Sequence, residues 1–227
     1  MTKIIGHRGA RGLAAENTIA GIDAALALGV DEIEIDVRVT KDGVPILMHD
    51  AALVLPGGEN LRIADTDYKT LLATKPDLPT LDAIIRHINK QVPLMIEVKP
   101  HVATEPIIYN IKNLLEHGWK SQDFILGSKN QATLQSLHAG LPELPTTVIE
   151  AWSSLRAVLR ARQLHTKRIT MNQKFLWFGF IASMRRRGYN LYVYTLNNPG
   201  RAKRWAKYGL SGIITDRPDI FRPHPPR

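Results

Sequence analysis

The chain has no cysteine, which excludes disulfides, thiolate nucleophiles and sulfur-ligated metals. Long apolar runs are missing too: no stretch approaches the roughly 18 residues of a membrane-spanning helix. The opening Met1-Thr2-Lys3-Ile4-Ile5-Gly6 lacks the apolar core of a secretory signal. A cytoplasmic location is the expectation. Acidic residues are the minority, 21 against 30 Lys and Arg in 227 residues, for a net charge of +9. Such a charge attracts anionic substrates, membrane surfaces or nucleic acid. The basic residues are scattered, however, and the compact run Arg185-Arg186-Arg187 reads as a solvated helix end. The proline-rich tail, residues 222–227, reads as extended and loosely held.

What is present is a regular alternation of short β-branched runs and helical patterns. Parallel strands are expected near residues 3–6, 31–37, 93–98, 122–127, 145–149, 167–171, 190–195 and 211–215. The best-marked helix follows the third strand. Thr104 is expected to cap it, with Glu105 and Pro106 in the first turn. Ile107, Ile108, Ile111, Leu114 and Leu115 form its apolar stripe, and Gly118 ends it. Asn198-Pro199 and Gly209 frame another helix.

Val44-Pro45-Ile46-Leu47-Met48-His49 is strand-like but follows the second strand after only Thr40-Lys41-Asp42-Gly43. A parallel crossover needs a dozen or more residues, so this link makes a hairpin. Residues 38–80 are therefore expected to form a short insertion after the second strand, within a single domain spanning 1–227. The fold class expected is α/β, a (β/α)8 TIM barrel, whose chemistry sits at the carboxyl ends of its strands.

Alternate side chains of a strand share a face. In Glu34-Ile35-Asp36-Val37 the two acids point to the barrel axis, while Ile33, Ile35 and Val37 pack outward. Two carboxylates that close repel each other away from water, and a bound cation relieves them. Glu97 in Ile96-Glu97-Val98-Lys99 supplies a third oxygen ligand. An all-carboxylate site suits one divalent cation, Mg2+ or Ca2+, better than Zn2+. Lys99, one step further up, is placed to meet an anion or to form a structural ion pair with Glu97. His7 and Arg8 follow the first strand, and His49 ends the hairpin. Histidine carries protons near neutral pH, and the planar guanidinium of Arg8 matches phosphate. Two proton carriers, two cations and a metal fit cleavage of a phosphodiester.

These residues resemble the glycerophosphodiester phosphodiesterase family. The resemblance runs from Ile4-Ile5-Gly6-His7-Arg8-Gly9-Ala10 and Glu16-Asn17-Thr18 through Glu34-Ile35-Asp36-Val37, Thr40-Lys41-Asp42-Gly43 and His49-Asp50. It continues through Ile96-Glu97-Val98-Lys99, Tyr194-Thr195-Leu196-Asn197 and Gly212-Ile213-Ile214-Thr215-Asp216-Arg217-Pro218. It implies a barrel with a small insertion after its second strand. It implies that His7 and His49 form the acid–base pair, that Glu34, Asp36 and Glu97 bind the cation, and that Arg8 and Lys99 hold the phosphate. The implied reaction is hydrolysis of a small glycerophosphodiester to glycerol 3-phosphate and an alcohol. Departures stand at Ala15, in Ala51–Gly58 and at Gly127-Ser128-Lys129, and they bear on the alcohol side of the substrate.

Rival readings are a lysophospholipase D or a phosphatidylinositol phospholipase C on a related barrel, a sugar-phosphate isomerase or aldolase, and a non-catalytic binder of anions. The histidine and carboxylate set argues against the last, and no nucleic-acid partner is expected. Phe175-Leu176-Trp177-Phe178-Gly179-Phe180 either packs as a helix or forms an apolar wall for a lysolipid or membrane surface.

Overall fold

The computed structural model describes residues 1–55 and 57–222. In chain order the elements are β1 (Lys3–His7), α1 (Ile19–Ala27), β2 (Glu32–Val39), β3 (Pro45–Leu47), β4 (Ala52–Val54) and β5 (Asn60–Arg62). Next come α2 (Tyr68–Thr74), α3 (Leu81–Ile88), β6 (Leu94–Val98), α4 (Glu105–Glu116), β7 (Phe124–Ser128), α5 (Gln131–Gly140) and β8 (Thr146–Glu150). The chain continues with α6 (Ser154–Gln163), β9 (Arg168–Asn172), α7 (Phe178–Arg186), β10 (Asn190–Tyr194), α8 (Pro199–Ala206) and β11 (Gly212–Thr215).

The parallel strands run β1-β11-β10-β9-β8-β7-β6-β2, and β2 returns to pair with β1. That last pairing closes the sheet into a barrel. Each strand splits its side chains between two environments. Ile33, Ile35 and Val37 of β2 and Leu94, Ile96 and Val98 of β6 are buried outward, in one cluster with Ile22 of α1 and with Ile84, Ile85 and Ile88 of α3. Each such burial contributes about 1.5–3 kcal/mol, and the outer layers hold most of these side chains. Inside the barrel, Ile5, Met95, Ile125, Ile149, Tyr192 and Ile214 form a separate cluster.

Below that layer Glu32 is buried and bound by Arg168 at 3.1 and 2.5 Å and by Lys3 at 2.7 Å. The Arg168 guanidinium lies 3.8 Å from the Tyr192 ring centre. Burial pushes the Glu32 carboxyl up, but these two cations outweigh it and hold it below its ordinary range.

Helix ends follow local chemistry with one correction. Thr104 occupies the N-cap position of α4, but its side chain does not cap the helix. Its hydroxyl is taken by Ser136 on α5, 2.7 Å away. The rest of that helix is as the pattern predicts, with Ile107, Ile111 and Leu114 fully buried and Gly118 at φ +88° beyond its end. Asn198 caps α8 by accepting from the Arg201 amide, with Pro199 in the first turn. Arg185, Arg186 and Arg187 are exposed at the end of α7, which is the end remote from the carboxyl termini of the strands.

Between β2 and α3 the chain leaves the barrel. β3 pairs antiparallel with β2, matching Val37 to Leu47 and Val39 to Pro45. Gly43, at φ +80°, completes the connecting turn. The excursion has its own core of Ile46, Leu53, Ile63, Leu71 and Leu78. It also contains the hairpin β4–β5 and the helix α2, which the sequence patterns do not announce. The expected loose tail lies, from residue 223 on, outside the described residues. Arg222 itself donates to Gly29 O and to Asp31 at 2.5 Å. Among the described residues no helix is long and apolar enough to cross a membrane.

Candidate active site

Parallel register places the acids side by side at the carboxyl ends of the strands. His7 of β1 is level with Glu34 of β2, and Asp36 of β2 is level with Glu97 of β6. Oxygens of Glu34, Asp36 and Glu97 all lie within 4.8 Å of one another, and all three residues are buried. Burial, and then the charge of Asp36, pushes the Glu34 carboxyl up to about 7. Burial works the same way on Asp36, but there the Lys99 ammonium and the Arg8 guanidinium win and hold it at about 2. The two carboxylates are thus driven apart in proton affinity because they share a low-dielectric space. A divalent cation fits this donor set: the ligands are all oxygen and buried.

Lys99 follows β6 directly. Its ammonium pairs with Asp36 and lies 2.7 Å from Glu97. Arg8 sits at φ +53°, which turns its amide to donate to Glu34 at 3.0 Å. Its Nη1 donates to Glu16 at 2.8 Å. Its Nε lies 2.8 Å from Asp36 Oδ2, close enough for an ion pair but without the angle of a hydrogen bond. Asn17 clasps Asp36 twice: Nδ2 donates to the carboxylate at 3.2 Å, and Oδ1 accepts from the Asp36 amide at 3.1 Å.

The two histidines differ in setting. His7 is nearly buried. Its Nδ1 lies 2.6 Å from Asp216 Oδ1, and its Nε2 lies 3.9 Å from Glu34. Asp216 follows β11 directly and is itself held by Asn197 Nδ2 at 2.8 Å. Burial pushes the Asp216 carboxyl up, but the His7 and Asn197 bonds outweigh it and lower it. His49 follows β3 and is half exposed, with Nδ1 2.8 Å from Asp50. Its backbone oxygen accepts from Arg38 at 3.0 and 2.9 Å, which pins the end of the hairpin to β2. Burial and the nearby Lys99 charge lower its proton affinity.

A cavity of about 170 Å3 brings together His7, Arg8, Glu34, Glu97 and Lys99. Met95, Ile149 and Ile214 are also in its lining. Asp36 and His49 stand outside the lining: Asp36 is paired with Lys99, and His49 is supplied from the excursion. Three residues without an assigned role in the sequence reading belong to this neighbourhood. Asp216 orients His7. Lys129 lines the cavity, with Nζ 2.9 Å from Glu97 and 5.5 Å from the Tyr194 ring centre. Arg11 lies 3.4 Å from Asp216. Asp216 lies about 200 residues from His7 in the chain, so only barrel closure brings the pair together. The aromatic run divides: Leu176 and Phe180 are buried, whereas Trp177 is 57% and Phe178 60% exposed. Phe175 stacks edge-on with Trp152, itself 70% exposed.

The family model described as glycerophosphoryl diester phosphodiesterase family matches residues 7–220. The Bacillus subtilis protein YhdW, provisionally named a glycerophosphodiester phosphodiesterase, is 30% identical over 96% of each chain. Human lysophospholipase D GDPD1 is 25% identical over 98% of this chain and 85% of its own. An Oleispira antarctica phosphodiesterase solved in complex with the product sn-glycerol-3-phosphate superposes with a TM-score of 0.85 at 25% identity, covering 98% of this chain and 96% of that one.

Proposed function

The chain belongs to the glycerophosphoryl diester phosphodiesterase family, and from that premise we propose that it hydrolyses small glycerophosphodiesters to glycerol 3-phosphate and an alcohol. One observation carries the reading: three buried carboxylates, two cations and a carboxylate-oriented histidine converge at one end of a barrel. Glu34, Asp36 and Glu97 would hold Mg2+ or Ca2+. When bound, such a cation supplies positive charge to the phosphoryl oxygens and acidifies a hydroxyl beside it.

The remaining steps belong to side chains. Arg8 and Lys99 receive the phosphate oxygens. The glycerol hydroxyl next to the phosphoester is tethered, which gives it a large effective concentration as nucleophile. One histidine of the pair His7 and His49 takes its proton as the new P–O bond forms. The other protonates the alcohol oxygen as the old P–O bond breaks. The product of this step is a cyclic glycerol phosphate. Water then opens the ring with the histidine roles reversed. Asp216 binds Nδ1 of His7 and so leaves Nε2 for the proton transfer.

A panel of glycerophosphodiesters with a coupled readout of glycerol 3-phosphate tests the reaction, and release of none from any member would overturn it. A substrate lacking the vicinal hydroxyl tests the route. It is expected to bind and turn over very slowly, and turnover equal to the parent's would replace the cyclic route by direct attack of water. A second reading, lysophospholipase D activity, is favoured by the exposed aromatics Trp152 and Trp177, which offer an acyl chain an apolar wall, whereas Phe178 packs against Tyr208.

A further inference from the structure

We infer that the alcohol half of the substrate carries an anionic group, received by Lys129 and Arg156 in a second cavity beside the catalytic one. The inference rests on the phosphodiesterase reading above and adds the class of leaving group. The second cavity, about 350 Å3, is lined by Lys129, Asn130, Gln131, Arg156 and Arg160. Lys129 lines both cavities. A molecule whose phosphate sits against Lys99 therefore passes Lys129 to reach Arg156.

The positive charge of this cavity is not consumed by the fold. Among the described residues Glu150 is the carboxylate that serves both arginines, at 2.7 Å from Arg156 and 3.4 Å from Arg160, while Glu97 serves Lys129 and is shared with Lys99. Arg160 has a structural task. It is buried, and its three nitrogens donate to Gln131 Oε1, Ile149 O and Ser128 O at 2.8, 2.9 and 3.1 Å. Those bonds tie α6 to β7 and β8. Arg156 is different. Its side chain is 56% exposed, it bonds Glu150 through Nε, and among the described residues no hydrogen bond uses its Nη groups. Lys129 bonds Glu97 with one of three ammonium protons.

Glu150 also fixes where Arg156 points. Its Oε1 accepts from the Ala151 and Trp152 amides at 3.0 Å each, so the carboxylate is anchored by backbone before it meets a guanidinium. The outcome is a held guanidinium with its fork open to solvent, in the first turn of α6, and an ammonium between it and the catalytic cavity. A cationic alcohol is repelled at this place. A phosphate or carboxylate meets two charged donors, and each charge-assisted bond contributes about 1.5–3 kcal/mol, roughly tenfold or more in binding.

The experiment uses the full chain with divalent cation and three substrates: glycerophosphocholine, glycerophosphoglycerol and a glycerophosphoinositol phosphate. kcat/KM is read from glycerol 3-phosphate release. The expected order is anionic above neutral above cationic, with about a hundredfold preference for the anionic alcohol over choline from the two donors together. R156Q is expected to cut that ratio about tenfold, and R156K to retain most of it. Preference for choline in the parent enzyme, or an R156Q ratio equal to the parent's, would overturn the inference while leaving the hydrolysis intact. Hydrolysis of none of the three would overturn the underlying reaction and this inference with it.

Discussion

Replacing Asp216 by Asn tests whether the carboxylate at the end of β11 governs the chemistry of His7. The substitution keeps size and shape. It removes the charge from a 2.6 Å contact with His7 Nδ1. A charge-assisted bond of that length is worth about 1.5–3 kcal/mol, which alone is roughly 10- to 100-fold in rate if it acts on the transition state. The amide adds a second effect. Asn197 already donates Nδ2 to Asp216 Oδ2 at 2.8 Å, so the oxygen of the new amide stays with Asn197 and its nitrogen turns to His7. His7 Nδ1 then accepts instead of donating, and the proton moves to Nε2, the atom that faces Glu34. Nε2 can then no longer accept a proton in whichever of the two steps His7 acts as the base. We expect kcat to fall about 100-fold or more, with KM changed far less, because Arg8 and Lys99 are untouched. The assay is steady-state release of glycerol 3-phosphate, with circular dichroism to confirm the fold. A kcat within a few-fold of the parent would refute the orienting role.

Other expectations follow from the same geometry. His7→Ala and His49→Ala are each expected to lower turnover about 100-fold or more at saturating substrate, and near-normal turnover in either would remove that residue from the acid–base pair. Exhaustive chelation is expected to abolish activity. Glu34→Gln and Glu97→Gln are expected to lose metal affinity by calorimetry while staying folded, and Glu34→Gln to stabilise the metal-free barrel slightly by relieving its repulsion with Asp36; full activity after chelation contradicts the carboxylate assignment. Trp177→Ala is expected to impair lysolipid hydrolysis more than that of water-soluble diesters, and equal behaviour of both removes the apolar wall. Glu32→Gln breaks a buried ion pair and is expected to cost about 3–5 kcal/mol. Because the folded-state proton affinity of Glu32 is lowered, its contribution is complete above the ordinary carboxylate range and vanishes as pH falls through the folded value. Urea unfolding from about pH 7 to about pH 3 is therefore expected to show the parent converging on the variant in acid, and a constant gap would contradict the linkage.

The strand pattern was legible because inward and outward residues differ in kind. β2 alternates Glu32, Glu34 and Asp36 with Ile33, Ile35 and Val37, and β6 repeats the device. The pattern does not separate Glu32 from its two neighbours. That distinction depends on Arg168, 136 residues away, which binds Glu32 at the floor of the barrel, whereas Glu34 and Asp36 lie within reach of Arg8 and Lys99 at the other end. Asp216 and Lys129 were hidden for the same reason: their partners His7 and Glu97 are assembled by closure of the sheet. Thr104 shows the reverse failure. Its cap position is right, but a neighbouring helix competes for the hydroxyl, and local preference cannot register a competitor from α5. The hairpin β4–β5 leaves no mark in the sequence because three-residue strands carry too few alternations to signal a period.

The Glu32–Arg168–Lys3 network, capped by Tyr192 and the apolar layer of Met95, Ile149 and Ile214, makes the catalytic cavity a dead end. With that end filled, exchange takes place at the carboxyl ends of the strands, and Lys129 stands at this door, its side chain 35% exposed against 4% for Lys99 and 11% for Arg8. The half of the substrate nearer Lys129 stands closer to the door than the half held by Arg8 and Lys99. On the proposed reaction the alcohol leaves first and glycerol 3-phosphate second. The enzyme that awaits new substrate is therefore also the enzyme that has just released glycerol 3-phosphate. Accumulated glycerol 3-phosphate then competes directly with substrate for the empty site, while the alcohol rebinds only to the form still carrying phosphate. On that order of release, glycerol 3-phosphate is expected to inhibit competitively against the diester and the alcohol is not, a pattern set by the closed floor of the barrel.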